Sequence, residues 1–212
     1  MDEDVKQALD SENRLRYNES VHQSMGGIRM EKKNLGAVLA LYPTPVTVVG
    51  AMVAGKPNWM LVAHVGIMGH DHIMISCVKS HYTNQGIRDN KIVSVSLVDE
   101  KFLPKADYTG CVSGSKEDKS RLFAYEMGEA GAPVPKDVPL SMECEVADIY
   151  ETKGFDNFIL KIRNTYAKDE ILGDNGKISY EKIKPMLFAM VNYEYLSTGN
   201  IIGKCMHMND AK

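Results

Sequence analysis

An antiparallel β-barrel or sandwich with a few helices is the fold class this chain predicts, and three features predict it. Short apolar runs of strand length recur along the sequence, several of them alternating apolar and polar residues. Tight turns marked by glycine and proline separate these runs. Helical patterns are few and short, and neither an internal repeat nor a low-complexity tract interrupts the series.

Composition narrows the class further. The 212 residues suit one large domain or two small ones, with enough chain to bury a substantial core. Hydrophobic content of 44% and charged content of 25% are those of a soluble globular protein. A net charge of −3 gives no general reason to expect nucleic-acid binding. Cys77, Cys111, Cys144 and Cys205 lie far apart without a C-x-x-C pair, so a disulfide framework is not expected and a reducing cytoplasm is. The sequence shows no N-terminal apolar h-region and no apolar run long enough to span a bilayer, so no membrane association is expected.

Taken in order, residues 1–34 are polar and charge-rich, with too few apolar positions for a strong stripe; they read as an N-terminal extension or arm. Residues 35–41 read as a short apolar helical turn closed by Pro43 and Pro45. Residues 46–53 are apolar on both alternating faces, as in a barrel wall packed on another layer. A turn at residues 54–57 leads into strands at 58–65 and 73–78, then a helix from about Ser80 to Arg88. Residues 92–98 alternate cleanly. Ser115 and Asp118 have the spacing of a capping box and predict a helix carrying Leu122, Phe123 and Met127. Residues 128–139 form a loop, as do 101–105. The next strand, 140–150, places Met142, Cys144 and Val146 inward and Glu143 outward. Gly154 turns it into residues 155–166, and residues 186–195 make the last strand.

The chemistry concentrates in residues 57–83. Two apolar runs there flank a polar break, and the second ends in Lys79-Ser80-His81-Tyr82-Thr83, where a helix begins. A helix N-terminus offers unpaired N–H groups and partial positive charge, which together suit a phosphate. Ser80 and Thr83 add hydroxyls, and Lys79 adds charge. The plain alternative is a strand–helix junction with Ser80 as N-cap.

This stretch resembles the core motif of the flavin reductase-like family, which includes the flavoredoxins. The matching pieces are Tyr42-Pro43-Thr44-Pro45-Val46, Lys56-Pro57-Asn58-Trp59-Met60 with Ala63, and Lys79 to Thr83. Ala106-Asp107-Tyr108, Ser113-Gly114, Asp118-Lys119 and the strand with Glu143 and Cys144 follow in the family's order. The resemblance implies a Greek-key split β-barrel over residues 35–205, a tail at 206–212, and a homodimer with FMN near the subunit boundary. It also implies the cofactor contacts: Asn58, Trp59, Met60, Leu61, Val62, Ala63 and His64 along the ring, with Cys77 and Val78 beside it. Ser80, His81, Tyr82, Thr83 and Lys119 fall at the phosphate. The chemistry then belongs to the flavin, with no protein nucleophile, acid–base dyad or metal. The electron partner is a small molecule, NADH or NADPH among the candidates, or a redox protein.

Two departures from the family stand out. His81 replaces an arginine common among relatives, leaving an imidazole where a fixed positive charge is usual. A Gly-Asp-His-type loop that handles nicotinamide in monooxygenase-linked reductases has no matching tripeptide, which favours the flavoredoxin branch. Elsewhere, His70-Asp71-His72 reads as a solvated loop ahead of a metal site, and Cys77 as a core cysteine ahead of a redox thiol. Tyr193 and Tyr195 read equally as a surface strand end or as reaching a partner's site. The rival from another class is a flavin- or haem-binding module without turnover.

Overall fold

The computed structural model describes residues 32–208. The arm expected over residues 1–34 and the tail over 206–212 fall largely outside them. The chain divides into two units, residues 1–40 and 41–212. The described part of the first unit carries neither helix nor strand. Gly36 sits in the left-handed region (φ +75°), and its N–H donates to Asn34 Oδ1 at 2.8 Å. The helical turn expected over 35–41 does not form, consistent with the cost of nucleating a helix over so few residues.

The second unit runs β1 (Thr44–Pro45), β2 (Thr47–Val53), β3 (Lys56–Val62), β4 (Val65–Ile67), β5 (His72–Val78), α1 (Tyr82–Asn90), β6 (Ile92–Leu97) and α2 (Leu103–Cys111). Then come β7 (Tyr125–Met127), β8 (Pro133–Pro135), β9 (Leu140–Glu151), β10 (Phe155–Ala167), a 3-10 turn (Asp169–Ile171), α3 (Tyr180–Ile183), β11 (Leu187–Ala189) and β12 (Glu194–Leu196). Seven strands make one antiparallel sheet in the order β3-β2-β6-β9-β10-β5-β4, while β1, β11 and β12 form a small second sheet. The fold is mainly β, as expected, and the large sheet curls into a split barrel.

The connectivity explains the split. β3 and β4 are the two outermost strands of the large sheet, yet only Ala63 and His64 separate them in sequence. Three Cα steps reach at most about 10 Å, so the sheet must curl until its edges almost meet. The strand expected over 58–65 is therefore two strands on opposite edges. His64 stands at the seam, its carbonyl accepting the Ser76 N–H of β5 at 2.9 Å. β6 then returns to lie beside β2, which completes a Greek key.

Both faces of β2 are buried, as its composition predicts. Val49 and Ala51 pack inside the barrel with Met60, Val62, Ile75 and Phe158. Val46 and Val48 face an outer layer containing Trp59, Phe102 and Phe123. Two glycines permit this layering. A Cβ on Gly50 would lie 2.4 Å from the Trp59 ring, and one on Gly86 of α1 would lie 2.2 Å from the Met52 carbonyl oxygen. Gly86 thus sets α1 directly against β2.

Several expectations need correction. The Ser115 capping box starts no helix: Ser113 Oγ and Ser115 Oγ bond each other at 2.9 Å, and Asp118 Oδ1 accepts the Ser120 N–H at 2.9 Å. Such local bonds compete with helix formation, and Met127 lies in β7 instead. The 101–105 loop is the entry to α2, with Pro104 in its first turn and Phe102 stacked on Phe123 at 4.9 Å. The 128–139 loop contains β8, paired with β7. Glu143 is fully buried, because the face of β9 it occupies is covered by residues 130–132. It accepts Ala130 N–H, Ala132 N–H, Asn164 Nδ2 and Tyr166 Oη at 2.8–3.0 Å. Burial opposes its ionisation, but these donors outweigh it and hold the carboxyl below the ordinary glutamate value. The last strand is a hairpin, β11–β12, turning through Tyr193 at φ 55°.

Candidate functional site

Two cavities adjoin at β3. A polar one of about 630 Å³ is walled by Met60 and Leu61, residues 80–83 and residues 109–114, with Lys116, Glu117 and Lys119. An apolar one of about 310 Å³ is walled by residues 61–64, Val78, Phe155, Phe188, Met190, Tyr193 and Tyr195, among others. Leu61 and His81 line both.

The polar chamber is built on the β5–α1 junction. α1 begins at Tyr82, two residues later than expected, so His81 and not Ser80 is its N-cap. The cap makes no side-chain hydrogen bond and the first turn holds no acidic residue. The unpaired donors of that turn, and its partial positive charge, are therefore not met by a carboxylate of the helix itself, although Glu117 lines the same chamber. Thr83 is held by Asn58, whose Nδ2 donates to Thr83 Oγ1 at 2.7 Å, and both are buried. Gly114 closes the opposite wall so tightly that a Cβ there would sit 2.3 Å from Asn58 Oδ1.

Three groups decide what this chamber suits. His81 Nδ1 is buried without a hydrogen-bond partner. Burial, and then the charge of Lys119, push its imidazole below the ordinary histidine value and so favour the neutral ring. Lys119 is buried, with Nζ donating to the Thr109 and Val112 carbonyls at 2.9 and 3.0 Å. It caps the C-terminal end of α2 while keeping one ammonium proton for a ligand. An unmatched imidazole nitrogen, an uncapped helix and an unspent ammonium proton fit an anionic group with acceptor oxygens.

The apolar chamber draws on β3, β5, β10 and the β11–β12 hairpin, and no carboxylate, lysine or arginine lines it. Its polar groups are mostly engaged. Tyr195 Oη donates to Asp107 Oδ1 at 2.5 Å, and Ser76 Oγ donates to Asn157 Oδ1 at 2.7 Å. His64 Nε2 lies 2.6 Å from Tyr42 Oη.

Of the residues expected at the site, Met60, Leu61, Ser80, His81, Tyr82, Thr83 and Lys119 line the polar chamber. Leu61, Val62, Ala63, His64, Val78 and His81 line the apolar one. Asn58 stands behind Thr83. Trp59 and Cys77 line neither: Trp59 packs edge-on against Phe123 in the outer layer, and Cys77 is buried inside the barrel. Burial pushes the Cys77 thiol up to about 12, which fits a core cysteine. Lys79 is turned away, its Nζ paired with Glu151 Oε2 at 2.7 Å. Tyr193 and Tyr195 are walls of this chain's own chamber. Sequence reasoning missed residues 109–112, Phe155, Phe188 and Met190, which come from distant segments and form no local motif.

The flavin reductase like domain model matches residues 39–197, well over half of the chain. The chain belongs to that family. Among solved structures, flavoredoxin from Methanosarcina acetivorans is 34% identical, with a TM-score of 0.80 over 84% of this chain and 97% of that one. Flavoredoxin of Desulfovibrio vulgaris (Miyazaki F) is 31% identical, with a TM-score of 0.77 over 84% and 98%. An uncharacterized protein of Aeropyrum pernix is 26% identical over 160 residues, covering 70% of this chain and 58% of that protein. The chain thus spans little more than half the length of that relative. Among the described residues, no helix is long and apolar enough to cross a membrane.

Proposed function

We propose that this member of the flavin reductase like family is an FMN-binding oxidoreductase of the flavoredoxin type. It takes electrons from NAD(P)H or a redox protein and passes them to a flavin, a ferric complex or a protein acceptor. The observation that carries the reading is the junction of the two chambers. An anion-ready pocket and an aromatic, uncharged one share Leu61 and His81, and FMN is a molecule with a phosphate at one end and a flat ring at the other.

In this reading Ser80, Thr83, the first turn of α1, His81 and Lys119 hold the phosphate. Residues 61–64 and Val78 flank the ring. FMN, when bound, supplies the acceptance and release of an electron pair. The protein excludes water from the apolar chamber, orients the ring and supplies fixed dipoles near it. We extend the proposal to a homodimer in the cytoplasm. The edge strand β4 supports the dimer, since it leaves Ile67 88% exposed and Met68 follows it at 53%, and the four free cysteines are consistent with a reducing compartment.

The visible spectrum of the protein reconstituted with FMN, followed by anaerobic titration with NADH and with NADPH, tests the reading. Retained flavin bleached by either nucleotide is expected for a reductase, and bleaching only by a reduced redox protein for a carrier. Retained flavin that no donor bleaches would reduce the protein to a binding module, and a protein that takes up no FMN would overturn the reading.

A further inference from the structure

We propose that His64, oriented by Tyr42, is the group that couples proton uptake to electron uptake in the apolar chamber. The inference rests on the flavin reading above and adds a role for two residues at the barrel seam.

The geometry carries it. Tyr42 Oη lies 2.6 Å from His64 Nε2 and donates to Met190 Sδ at 3.0 Å. A phenol has one proton, so if it is given to Met190 the contact with His64 requires Nε2–H as donor. We assign the Nε2–H tautomer as part of this proposal: the chain Nε2–H to Oη–H to Sδ then satisfies all three groups and leaves the Nδ1 lone pair open. Nothing in the described residues bonds Nδ1, and His64 lines the chamber. The same Nε2–H bond persists whether Nδ1 is bare or protonated. The imidazole can therefore gain and lose its proton without changing its orientation.

The surroundings give that proton a purpose. The other titratable groups lining the chamber are His81, Tyr193 and Tyr195, and no carboxylate, lysine or arginine lines it. Tyr195 is committed to Asp107, and the Phe155 ring lies 6.0 Å from the His64 ring. Negative charge arriving in so apolar a space is costly unless an opposite charge forms beside it. His64 binds a solvent proton at Nδ1 when an electron pair enters the chamber and releases it when the pair leaves. The bond made and broken is Nδ1–H, the donor is oxidised by two electrons, and the acceptor is reduced by two. Tyr42 is the positioning residue.

The test is the potential of bound FMN as a function of pH, measured by spectroelectrochemistry on the wild-type protein and on His64→Gln. Glutamine can still donate to Tyr42 but cannot titrate. Each extra proton bound per electron pair changes the two-electron equilibrium constant tenfold per pH unit, about 30 mV. Wild type is expected to show a steeper segment, by up to that amount, which His64→Gln lacks and Tyr42→Phe moves along the pH axis. Superimposable curves from FMN-loaded wild type and His64→Gln would overturn the proposal. Failure of the wild type to bind FMN would instead overturn the flavin reading. Should His64→Gln not fold, the His64 ring resonances of the wild type decide. Their titration is expected to move to higher pH on reduction, and an unmoved titration contradicts the coupling.

Discussion

The two chambers are made in opposite ways. The polar one rests on a contiguous piece of chain: β5 ends, the backbone turns through Lys79 and Ser80, and α1 starts uncapped at Tyr82. Its backbone donors have a direction fixed once a strand meets a helix, and the side chains of His81 and Lys119 are added to them. The apolar one is assembled from side chains as distant in sequence as Val46, Phe155 and Tyr195, which meet only when the barrel closes. A site built from backbone is set by local folding. A site built from side chains depends on how the barrel closes.

That contrast can be broken or sharpened by substitution. The largest effect is expected at Gly86, whose hydrogens face the Met52 carbonyl. Gly86→Ala forces α1 off β2 at a cost of about 1–3 kcal/mol, read as a lowered urea midpoint. It is expected to strip FMN from the protein while leaving the seam at His64 intact. Next, Ser80→Ala with Thr83→Ala removes two hydroxyls from the polar chamber and is expected to weaken FMN binding about tenfold or more, measured by fluorescence titration. Thr83→Ala alone also leaves buried Asn58 Nδ2 without its acceptor, a cost of about 1–3 kcal/mol in the FMN-free protein.

A smaller, pH-dependent effect belongs to His81. Its folded-state affinity for a proton is lowered by burial and by Lys119, so the unfolded chain binds that proton more readily. The stability it contributes is complete above the unfolded histidine value of about 6.5 and drains away as the pH falls toward and through the lower folded value. The FMN-free protein is therefore expected to lose more thermal stability between pH 7 and pH 5 than His81→Asn does. Equal losses would remove His81 from the account. The smallest effect is local: Cys111 is exposed and lines the polar chamber, whereas Cys77 and Cys144 are buried. Mass spectrometry after alkylation is expected to find Cys111 modified in the free protein and protected by FMN.

Much of this was legible in sequence, for physical reasons. The doubly apolar β2 announced two packed layers, and Ser80 to Thr83 announced the strand–helix junction that lines the polar chamber. The resemblance to flavin reductase-like proteins supplied the barrel, which periodicity alone left as barrel or sandwich. What stayed hidden depended on tertiary closure. Nothing local says that Ala63 and His64 cross from one sheet edge to the other, so β3 and β4 read as one strand. Alternation put Glu143 on the outer face correctly, but only the covering loop turned that face into an interior. Lys79 and Lys119 both looked like phosphate ligands. Only the fold shows that Glu151 draws the first away and that the carbonyls ending α2 hold the second in place.

The central claim is that one ligand lies across both chambers, anchored by its phosphate. Comparing the affinity of the FMN-free protein for FMN and for riboflavin, which has the same ring and no phosphate, tests this most directly. FMN is expected to bind at least about a hundredfold more tightly, since two or more charge-assisted hydrogen bonds are at stake. Equal affinities would mean that the uncapped turn at Tyr82 and the His81 nitrogen hold no phosphate.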